Sequence, residues 1–276
     1  MKKIIIAVAC AVIGFSAFAL DVFMCAPIQG VVSSFTSKEY TVYQEFGEYF
    51  RRLQGRQEHV LNSDGFEVEL TEYTARDVEM GKMKRTYDSV GNILTQSYYD
   101  ADAKLMWREV TSYNGDKKTD SCDYNSEGEM KSKVIYKYDG ENLVDESFYN
   151  SKGALTWKII YKYDENSRLV TKSMYSANGS LDEEESYTYL ENGKIDTIVH
   201  IDAYQSTVSR EVFRYGANDQ LVEVINYNDG NVVTKRTQFK FDKVGNVIRV
   251  SEYNVSQKFG TTVNELVSQT DYSYKY

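Results

Sequence analysis

The side chains best suited to chemistry in this sequence are two histidines and many carboxylates. His59 and His200 lie far apart, and neither has a cysteine nearby in the sequence. Zinc sites draw their ligands from short, regular spacings of Cys and His, so no metal site of the ordinary kind is predicted. His200 stands beside Ile201 in a segment of strand character. It is therefore expected to be packed or solvated rather than catalytic.

The carboxylates are numerous, with 41 Asp and Glu residues in the chain. Two paired acids can hydrolyse a glycoside, and Asp100 with Asp102 or Asp139 with Glu141 offers oxygen ligands for calcium. Neither acidic pair has the loop spacing of an EF-hand, and acids recur in turns because they bond their own backbone. The sequence also has no glycine-rich phosphate loop and no nucleophile elbow. We therefore predict a protein that is not an enzyme and binds neither cofactor nor metal. Hydrolysis and calcium binding in the turns are the alternatives.

The N-terminus has the pattern of a secretory signal peptide over residues 1–19. Lys2 and Lys3 precede an apolar run, and small residues flank Phe18 before the expected cut. The run is too short for a comfortable membrane span. Export permits a disulfide between Cys25 and Cys122, and two unbonded thiols are the alternative. A lipid anchor on Cys10 or Cys25 is a further alternative for the same segment.

The net charge is acidic. Removal of Lys2 and Lys3 leaves 30 basic against 41 acidic residues, a change from −9 to −11. Such a balance argues against nucleic acid and against anionic membranes as partners, because like charges repel. It suits an exported protein that remains soluble by self-repulsion.

Most of the chain, residues 61–258, is a tandem repeat with two turns per unit. The first, which we call the A turn, begins at Leu61, Tyr87, Tyr113, Tyr138, Tyr163, Tyr189, Tyr215 and Phe241. The second, the B turn, begins at Tyr73, Tyr99, Tyr124, Tyr149, Tyr175, Ile201, Tyr227 and Tyr253. Each A turn follows the preceding B turn by 14 residues, and each B turn follows its A turn by 11 or 12. This regularity indicates one structural unit copied and stacked.

The segments between the turns read as β-strands. They alternate apolar and polar residues, as Leu155, Trp157 and Ile159 do with Thr156 and Lys158. Asn, Asp, Ser and Gly fill the turns, which are too short for anything but antiparallel neighbours. The predicted fold is an all-β antiparallel meander of tandem β-hairpins, forming an elongated twisted sheet or solenoid.

One aromatic position recurs two residues before the A turn, at Tyr136, Tyr161, Tyr187, Phe213 and Phe239. With the turn aromatic it forms an aromatic-x-aromatic pair on one strand face. The plain interpretation is a packing ladder across strands. The alternative is a stacking platform for a sugar or another ligand, and these five residues are the candidate binding site.

Two turns carry a more specific pattern. Tyr87-Asp88-Ser89-Val90-Gly91-Asn92-Ile93 and Phe241-Asp242-Lys243-Val244-Gly245-Asn246-Val247 resemble the Y-D-x-x-G-N-x motif of bacterial YD (Rhs-type) repeats. The resemblance spans about two thirds of the chain and is degenerate in most copies. It implies a β-hairpin array on a secreted or cell-surface protein, in some members linked to carbohydrate binding or toxin encapsulation. The chain lacks the long array of a closed shell and a toxin domain, so only the hairpin architecture is carried over.

The two ends depart from the repeat. Residues 20–60 are predicted to cap the array, with Val42, Phe46, Tyr49, Phe50 and Leu53 at helical spacing and a strand as the alternative. Residues 259–276 are predicted to form a C-terminal capping strand, and their terminal aromatic resembles the last strand of outer-membrane barrels. About sixteen strands would suit a barrel, but Lys, Arg and Glu recur on both strand faces and oppose a lipid-facing surface.

The sequence thus predicts an exported, non-enzymatic β-repeat protein of the bacterial periphery, in the periplasm, at the cell surface or in the outer membrane. Its expected partner is a protein or a carbohydrate bound on the sheet surface, and no nucleic acid. The alternative is an outer-membrane β-barrel or an outer-membrane-associated protein.

Overall fold

The computed structural model describes residues 28–258 and 260–276. The predicted signal peptide, residues 1–19, and Cys25 lie outside the described residues. The described chain forms eighteen β-strands. They are β1 (Ser34–Glu45), β2 (Glu48–Leu61), β3 (Glu67–Thr74), β4 (Glu79–Tyr87), β5 (Ile93–Asp100), β6 (Leu105–Asn114), β7 (Lys117–Asn125), β8 (Met130–Asp139), β9 (Asn142–Asn150), β10 (Leu155–Tyr163), β11 (Leu169–Ser176), β12 (Leu181–Tyr189), β13 (Ile195–Asp202), β14 (Thr207–Tyr215), β15 (Leu221–Tyr227), β16 (Val233–Phe241), β17 (Val247–Lys258) and β18 (Thr261–Lys275).

The strands form one closed β-barrel. Each pairs antiparallel with the next, and β18 also pairs antiparallel with β1, from Ser34 opposite Lys275 to Thr41 opposite Ser268. The all-β antiparallel meander is therefore confirmed. The open twisted sheet or solenoid was wrong, because pairing of the first and last strands removes both edges.

The N-terminal segment contains no helix in its described part. β1 and β2 form a long hairpin whose turn places Phe46 at φ 53° and Gly47 at φ 83°. The helical spacing of Val42, Phe46, Phe50 and Leu53 was misleading. Strand pairing with β18 and β3 satisfies this backbone and outweighs a weak helical pattern.

The repeat turns close as their composition predicts. In the B turn after Tyr149, Asn150 Oδ1 accepts the amides of Lys152 and Ala154 at 2.9 and 3.1 Å, and Gly153 has φ 76°. Such Asx turns reverse the chain within a few residues. The turn chemistry of the sequence therefore sets the hairpin spacing.

The A-turn tyrosines tie each hairpin to its neighbour. The hydroxyl of Tyr163 donates to the carbonyl of Leu143 at 2.8 Å, twenty residues earlier and at the start of the preceding odd-numbered strand. We call this bond the tyrosine latch. It recurs from Tyr87 to Glu67, Tyr113 to Ile93, Tyr189 to Leu169 and Tyr215 to Ile195 at 2.6, 3.0, 2.6 and 2.9 Å. Phe241 has no hydroxyl and cannot make it, and on the closing strand Tyr274 donates to Val247 at 2.7 Å.

The apolar core is small for a chain of this length. Sixteen apolar side chains are buried among the described residues, most of them near the A turns. The larger cluster includes Phe35, Phe213, Phe239 and Val250, and a second one joins Ile159, Tyr161 and Leu169. The wall is a single sheet with solvent reaching both sides, as the strand pattern indicated.

None of the described residues forms a helix long and apolar enough to cross a membrane.

Closure can be tested by crosslinking the terminal strands. Thr36 of β1 lies directly opposite Ser273 of β18, at a separation where cysteines can bond. In the mature chain with Cys25→Ser and Cys122→Ser, Thr36→Cys with Ser273→Cys should form an intramolecular disulfide, visible as faster migration without reductant. The control pair, Thr86→Cys with Ser273→Cys, joins strands that are not neighbours and should stay reduced. An open sheet would leave both pairs reduced.

The latch is tested by removing single hydroxyl groups. Tyr163→Phe and Tyr189→Phe should each lower the free energy of unfolding by about 0.5–1.5 kcal/mol, because a carbonyl loses its donor while the ring is kept. The measurement is the urea midpoint at unchanged slope. Tyr49→Phe, at the exposed hairpin tip with 53% of the residue accessible, serves as the control and should have no effect. Equal midpoints for all three variants would contradict the latch.

Candidate functional site

The barrel has an inner and an outer face that the strand pairing assigns residue by residue. Tyr161 lies opposite Lys172, Lys172 opposite Glu185, and Glu185 opposite His200. Opposite residues share a face, so following these pairs around all eighteen strands returns to Tyr161. Tyr161 is buried with 3% of its surface accessible, whereas its neighbour Lys162 is exposed. Most of the large buried side chains share this face, among them Phe35, Phe213, Phe239 and Tyr272, whereas Ile225 and Ser173 are buried on the other. Because side chains crowd together on the concave side of a curved sheet, we assign the face of Tyr161 to the interior.

The inner face surrounds a wide lumen. Barrels of about eight strands are filled by their side chains, whereas sixteen to eighteen strands leave a water-filled channel. The number of strands therefore favours an interior that the inner side chains line rather than fill.

Carboxylates dominate the wall of this lumen. The inner-face acids include Glu39, Glu67, Glu72, Asp100, Glu109, Asp123, Glu146, Glu183, Glu185, Asp202, Glu211 and Glu252, and the inner-face bases include Arg52, Arg85, Lys118, Lys172 and Lys235. Low-dielectric walls of one sign of charge focus the electric field inside a cavity. The lumen is therefore an acidic compartment that attracts cations.

His200 joins two of these acids. Its Nδ1 lies 3.8 Å from Glu185 Oε1 and its Nε2 lies 3.7 Å from Glu211 Oε2, which are ion-pair distances. Glu211 raises the pKa of His200, and the pKa of Glu211 is lowered in turn. Lys172 reaches Glu185 at 3.2 Å, so the ion pairs run along neighbouring strands. His200 thus belongs to a network of charged side chains on neighbouring strands.

His59 is held in a second inner cluster. Its Nδ1 lies 2.5 Å from Glu67 Oε2, and its ring stacks on Phe35 at 4.0 Å. Arg85 forms an ion pair with the same Glu67. Burial, followed by the charge of Arg85, lowers the pKa of His59 to about 4. The ring is neutral at neutral pH, and the cluster stabilises the wall near the A turns.

The five aromatic residues predicted as a ligand platform all lie on the inner face. Tyr161, Phe213 and Phe239 are buried, while Tyr136 and Tyr187 are half-buried. They occupy every second strand, so a residue of another type separates each from the next. Their hydroxyls are engaged: Tyr161 donates to Glu146 at 3.0 Å and Tyr187 donates to Glu185. A ligand role for these residues stays a prediction.

Two tryptophans also line the lumen, toward the B turns, and sequence reasoning did not single them out as ligands. Trp107 stacks on Tyr98, and Trp157 stacks on Phe148, each across neighbouring strands. Trp107 is 36% accessible. The sequence feature that could have identified these tryptophans is their alternation with polar residues, because it places them on the same strand face as the acids.

The outer face has the opposite charge. Its strand bases include Lys38, Arg51, Arg56, Lys82, Lys84, Arg108, Lys117, Lys133, Lys137, Lys158, Lys162, Arg210, Arg214, Arg236, Lys240 and Arg249, and its strand acids include Glu58, Glu69, Glu79, Asp120, Asp139, Asp145, Glu184, Glu223 and Asp271. The acidic total of the chain therefore conceals a basic exterior. Much of the remaining negative charge lies in the turns.

The predicted disulfide is not tested by the structure. Cys122 is a free, half-buried thiol, and Cys25 lies outside the described residues. Among residues 28–258 and 260–276, no group of three His, Cys, Asp or Glu side chains has the arrangement of a metal site.

Comparison with known proteins gives similarity without a characterised family. A family described as an uncharacterised protein matches residues 126–259, and no curated protein matches the chain. The YD-repeat resemblance therefore stays a prediction.

Among solved structures, a porin-like protein from Bacteroides uniformis is similar with a TM-score of 0.48 and 9% identity, over 90% of this chain and 99% of that one. A porin-like protein from Bacteroides vulgatus gives 0.31 and 10%, over 88% and 98%. The Photorhabdus luminescens Tc holotoxin pore gives 0.21 and 10%, over 76% of this chain and 16% of that one. The closed barrel itself rests on the strand pairing of this chain.

The bond between Tyr161 and Glu146 allows a test of the inner wall. Burial raises the pKa of Glu146, and the hydroxyl of Tyr161 opposes that rise by favouring the ionised form. Tyr161→Phe should therefore cost about 1–3 kcal/mol where Glu146 is charged. The cost should shrink as the pH falls through the pKa of Glu146, because the protonated acid needs less stabilisation.

The measurement is urea unfolding of Tyr161→Phe and of the parent chain at about pH 8 and about pH 5. Tyr136→Phe is the matched control, since its hydroxyl lies 3.4 Å from the neutral Ser121 Oγ. Its cost should depend little on pH. The same pH dependence in both variants would contradict the assignment.

Proposed function

We propose that this chain is a β-barrel of the bacterial envelope, associated with the outer membrane at its periphery, whose lumen binds a positively charged polar solute. The observation that carries the proposal is the division of charge, acidic inside and basic outside. Export is expected from the predicted signal peptide. This function corresponds to the outer-membrane-associated alternative drawn from the sequence.

The outer face supports a peripheral position over an inserted one. Lys82, Lys158 and Arg236 project outward from the body of the wall, and burying each near the middle of a bilayer costs about 2–4 kcal/mol. The outer face has many such bases and no apolar belt to offset them. β15 is also short, at seven residues, against the roughly 9–11 of a spanning strand.

The lumen supports binding of a cation. Glu109 and Glu183 project inward and take part in no ion pair within the described part of the chain. Their negative charge is thus available to a ligand, unlike that of Glu185, which Lys172 and His200 neutralise. Trp107 adds an aromatic face, which attracts ammonium groups. A flexible polyamine combines the charge and size that such a wall would hold.

The role is proposed as binding rather than catalysis. Both histidines are held by acids of the wall: the neutral ring of His59 is hydrogen-bonded to Glu67, and His200 lies at ion-pair distance from Glu185 and Glu211. The acids are distributed around the lumen instead of converging on one reacting position. This distribution favours a diffuse electrostatic site.

Titration calorimetry with spermidine tests the lumen. Removing two inner charges with Glu109→Gln and Glu183→Gln should weaken binding by roughly tenfold or more. The control removes two outer charges that are also outside ion pairs, Asp145→Asn with Glu184→Gln, and should leave binding unchanged. Absence of binding by the parent chain, or equal weakening by both double variants, would overturn the proposal.

Extraction from cell envelopes tests the position. A peripheral barrel should be released by high salt or alkaline carbonate, because no apolar belt on its outer face buries it in the bilayer. Release by detergent alone would indicate insertion and overturn the peripheral assignment.

A further inference from the structure

The outer face carries a row of matched side-chain pairs next to the B turns. Each B-turn tyrosine lies directly opposite a base on the preceding strand. The pairs are Tyr73 with Arg56, Tyr99 with Lys82, Tyr124 with Arg108, Tyr149 with Lys133, Tyr175 with Lys158, Tyr227 with Arg210 and Tyr253 with Arg236. The regularity identifies the pair, not the single tyrosine, as the repeated feature.

The one exception changes both members of the pair. Where the tyrosine is replaced by Ile201, the opposite residue is Glu184 instead of a base. Loss of the ring therefore coincides with loss of the cation. In three of the seven pairs the base lies over the ring: Arg56 is 3.7 Å from the ring centre of Tyr73, Lys158 is 5.8 Å from that of Tyr175, and Arg210 is 4.1 Å from that of Tyr227. Such exposed cation–π pairs contribute about 0.5–1 kcal/mol each.

Stabilisation of the sheet does not explain the lysines of β8 and β10 that lie between this row and the A turns. Lys137 and Lys162 are exposed, and neither they nor Lys158 has a carboxylate at ion-pair distance among the described residues. Asp145 faces Lys137 but accepts a hydrogen bond from Ser147 Oγ at 2.6 Å. On this side of the barrel, between β6 and β11, Lys133 pairs with Asp120 at 3.1 Å, whereas Lys137, Lys158 and Lys162 form a surface of positive charge outside ion pairs.

We infer that this outer surface binds a linear acidic polysaccharide. The inference is independent of the lumen proposal, because it uses the other face and the opposite charge. Equivalent pairs recur on every second strand, about 9–10 Å apart. That spacing is comparable with a disaccharide, so a chain with one acidic group per disaccharide would meet one base at each repeat.

The geometry favours a polysaccharide over other polyanions. A flat bilayer touches only a narrow strip of a convex barrel, and the acidic B turns, such as Glu127 and Glu129, repel it from the end. Single-stranded nucleic acid binds by stacking its bases on open aromatic faces. In this row a basic side chain already covers one face of the ring: Lys158 covers Tyr175, and Arg210 covers Tyr227 at 4.1 Å. Tyr73 donates its hydroxyl to Glu58 at 3.3 Å, and the hydroxyls of Tyr149 and Tyr175 are the donors proposed for sugar and carboxylate oxygens.

The test compares two triple variants of the mature chain on heparin and polygalacturonate, with neutral dextran as the blank. Lys137→Gln, Lys158→Gln and Lys162→Gln together remove three charges from the proposed surface. Lys38→Gln, Lys84→Gln and Lys240→Gln remove three outer charges elsewhere. The first should weaken binding by roughly tenfold or more and the second by much less, with equal melting temperatures showing that both are folded.

Several results would overturn the inference. They are no binding of either acidic polysaccharide by the parent chain, equal weakening by the two triple variants, and equal affinity for dextran. Tighter binding of single-stranded DNA or of anionic vesicles, lost in the first triple variant, would assign the surface to that partner instead. The inner variants Glu109→Gln and Glu183→Gln should not weaken polysaccharide binding, which separates this result from the spermidine test.

Discussion

The structure depends on the pairing of its first and last strands. An antiparallel meander of eighteen strands would otherwise expose two long edges, each with a row of unpaired amides and carbonyls. The register between β1 and β18 satisfies those groups within one chain. The tyrosine latches then join successive hairpins beside the A turns, where the buried apolar residues also lie. Closure and latches together hold a wall that has no second layer to pack against.

A wall of one layer gives each face its own chemistry. Successive residues of a strand point to opposite sides, so Glu183 and Glu185 face the lumen while Glu184 faces out. Over the whole ring this alternation separates an acidic interior from a basic exterior. The two proposed ligands, a cation inside and a polyanion outside, therefore follow from one geometric rule. The net charge of the chain describes neither surface.

The charged groups inside the wall are compatible with stability because they are paired. Burying an ionised group alone is costly. A hydrogen-bond partner or an opposite charge offsets much of the free energy of hydration that the group loses. Glu67 is shared between His59 and Arg85, and Glu146 accepts from Tyr161. These contacts explain why a lumen wall rich in acids can remain folded. They also separate the acids that serve the fold from those, such as Glu183, that remain available to a ligand.

The sequence by itself determined the local architecture. The alternation of Leu155, Trp157 and Ile159 with polar residues, and turns such as Asn150–Gly153, specify strands and hairpins through contacts a few residues apart. It could not reveal closure, because the match of β1 to β18 joins residues more than two hundred positions apart. Nor could it identify the inner face, because a period-two pattern distinguishes the two faces of a strand but does not show which of them is concave. The sequence thus identified Tyr136 and Tyr161 as one set. Only the tertiary structure placed them in a lumen beside Glu146 and assigned Lys137 and Lys162 to the exterior, because the curvature of the sheet is a property of the whole ring.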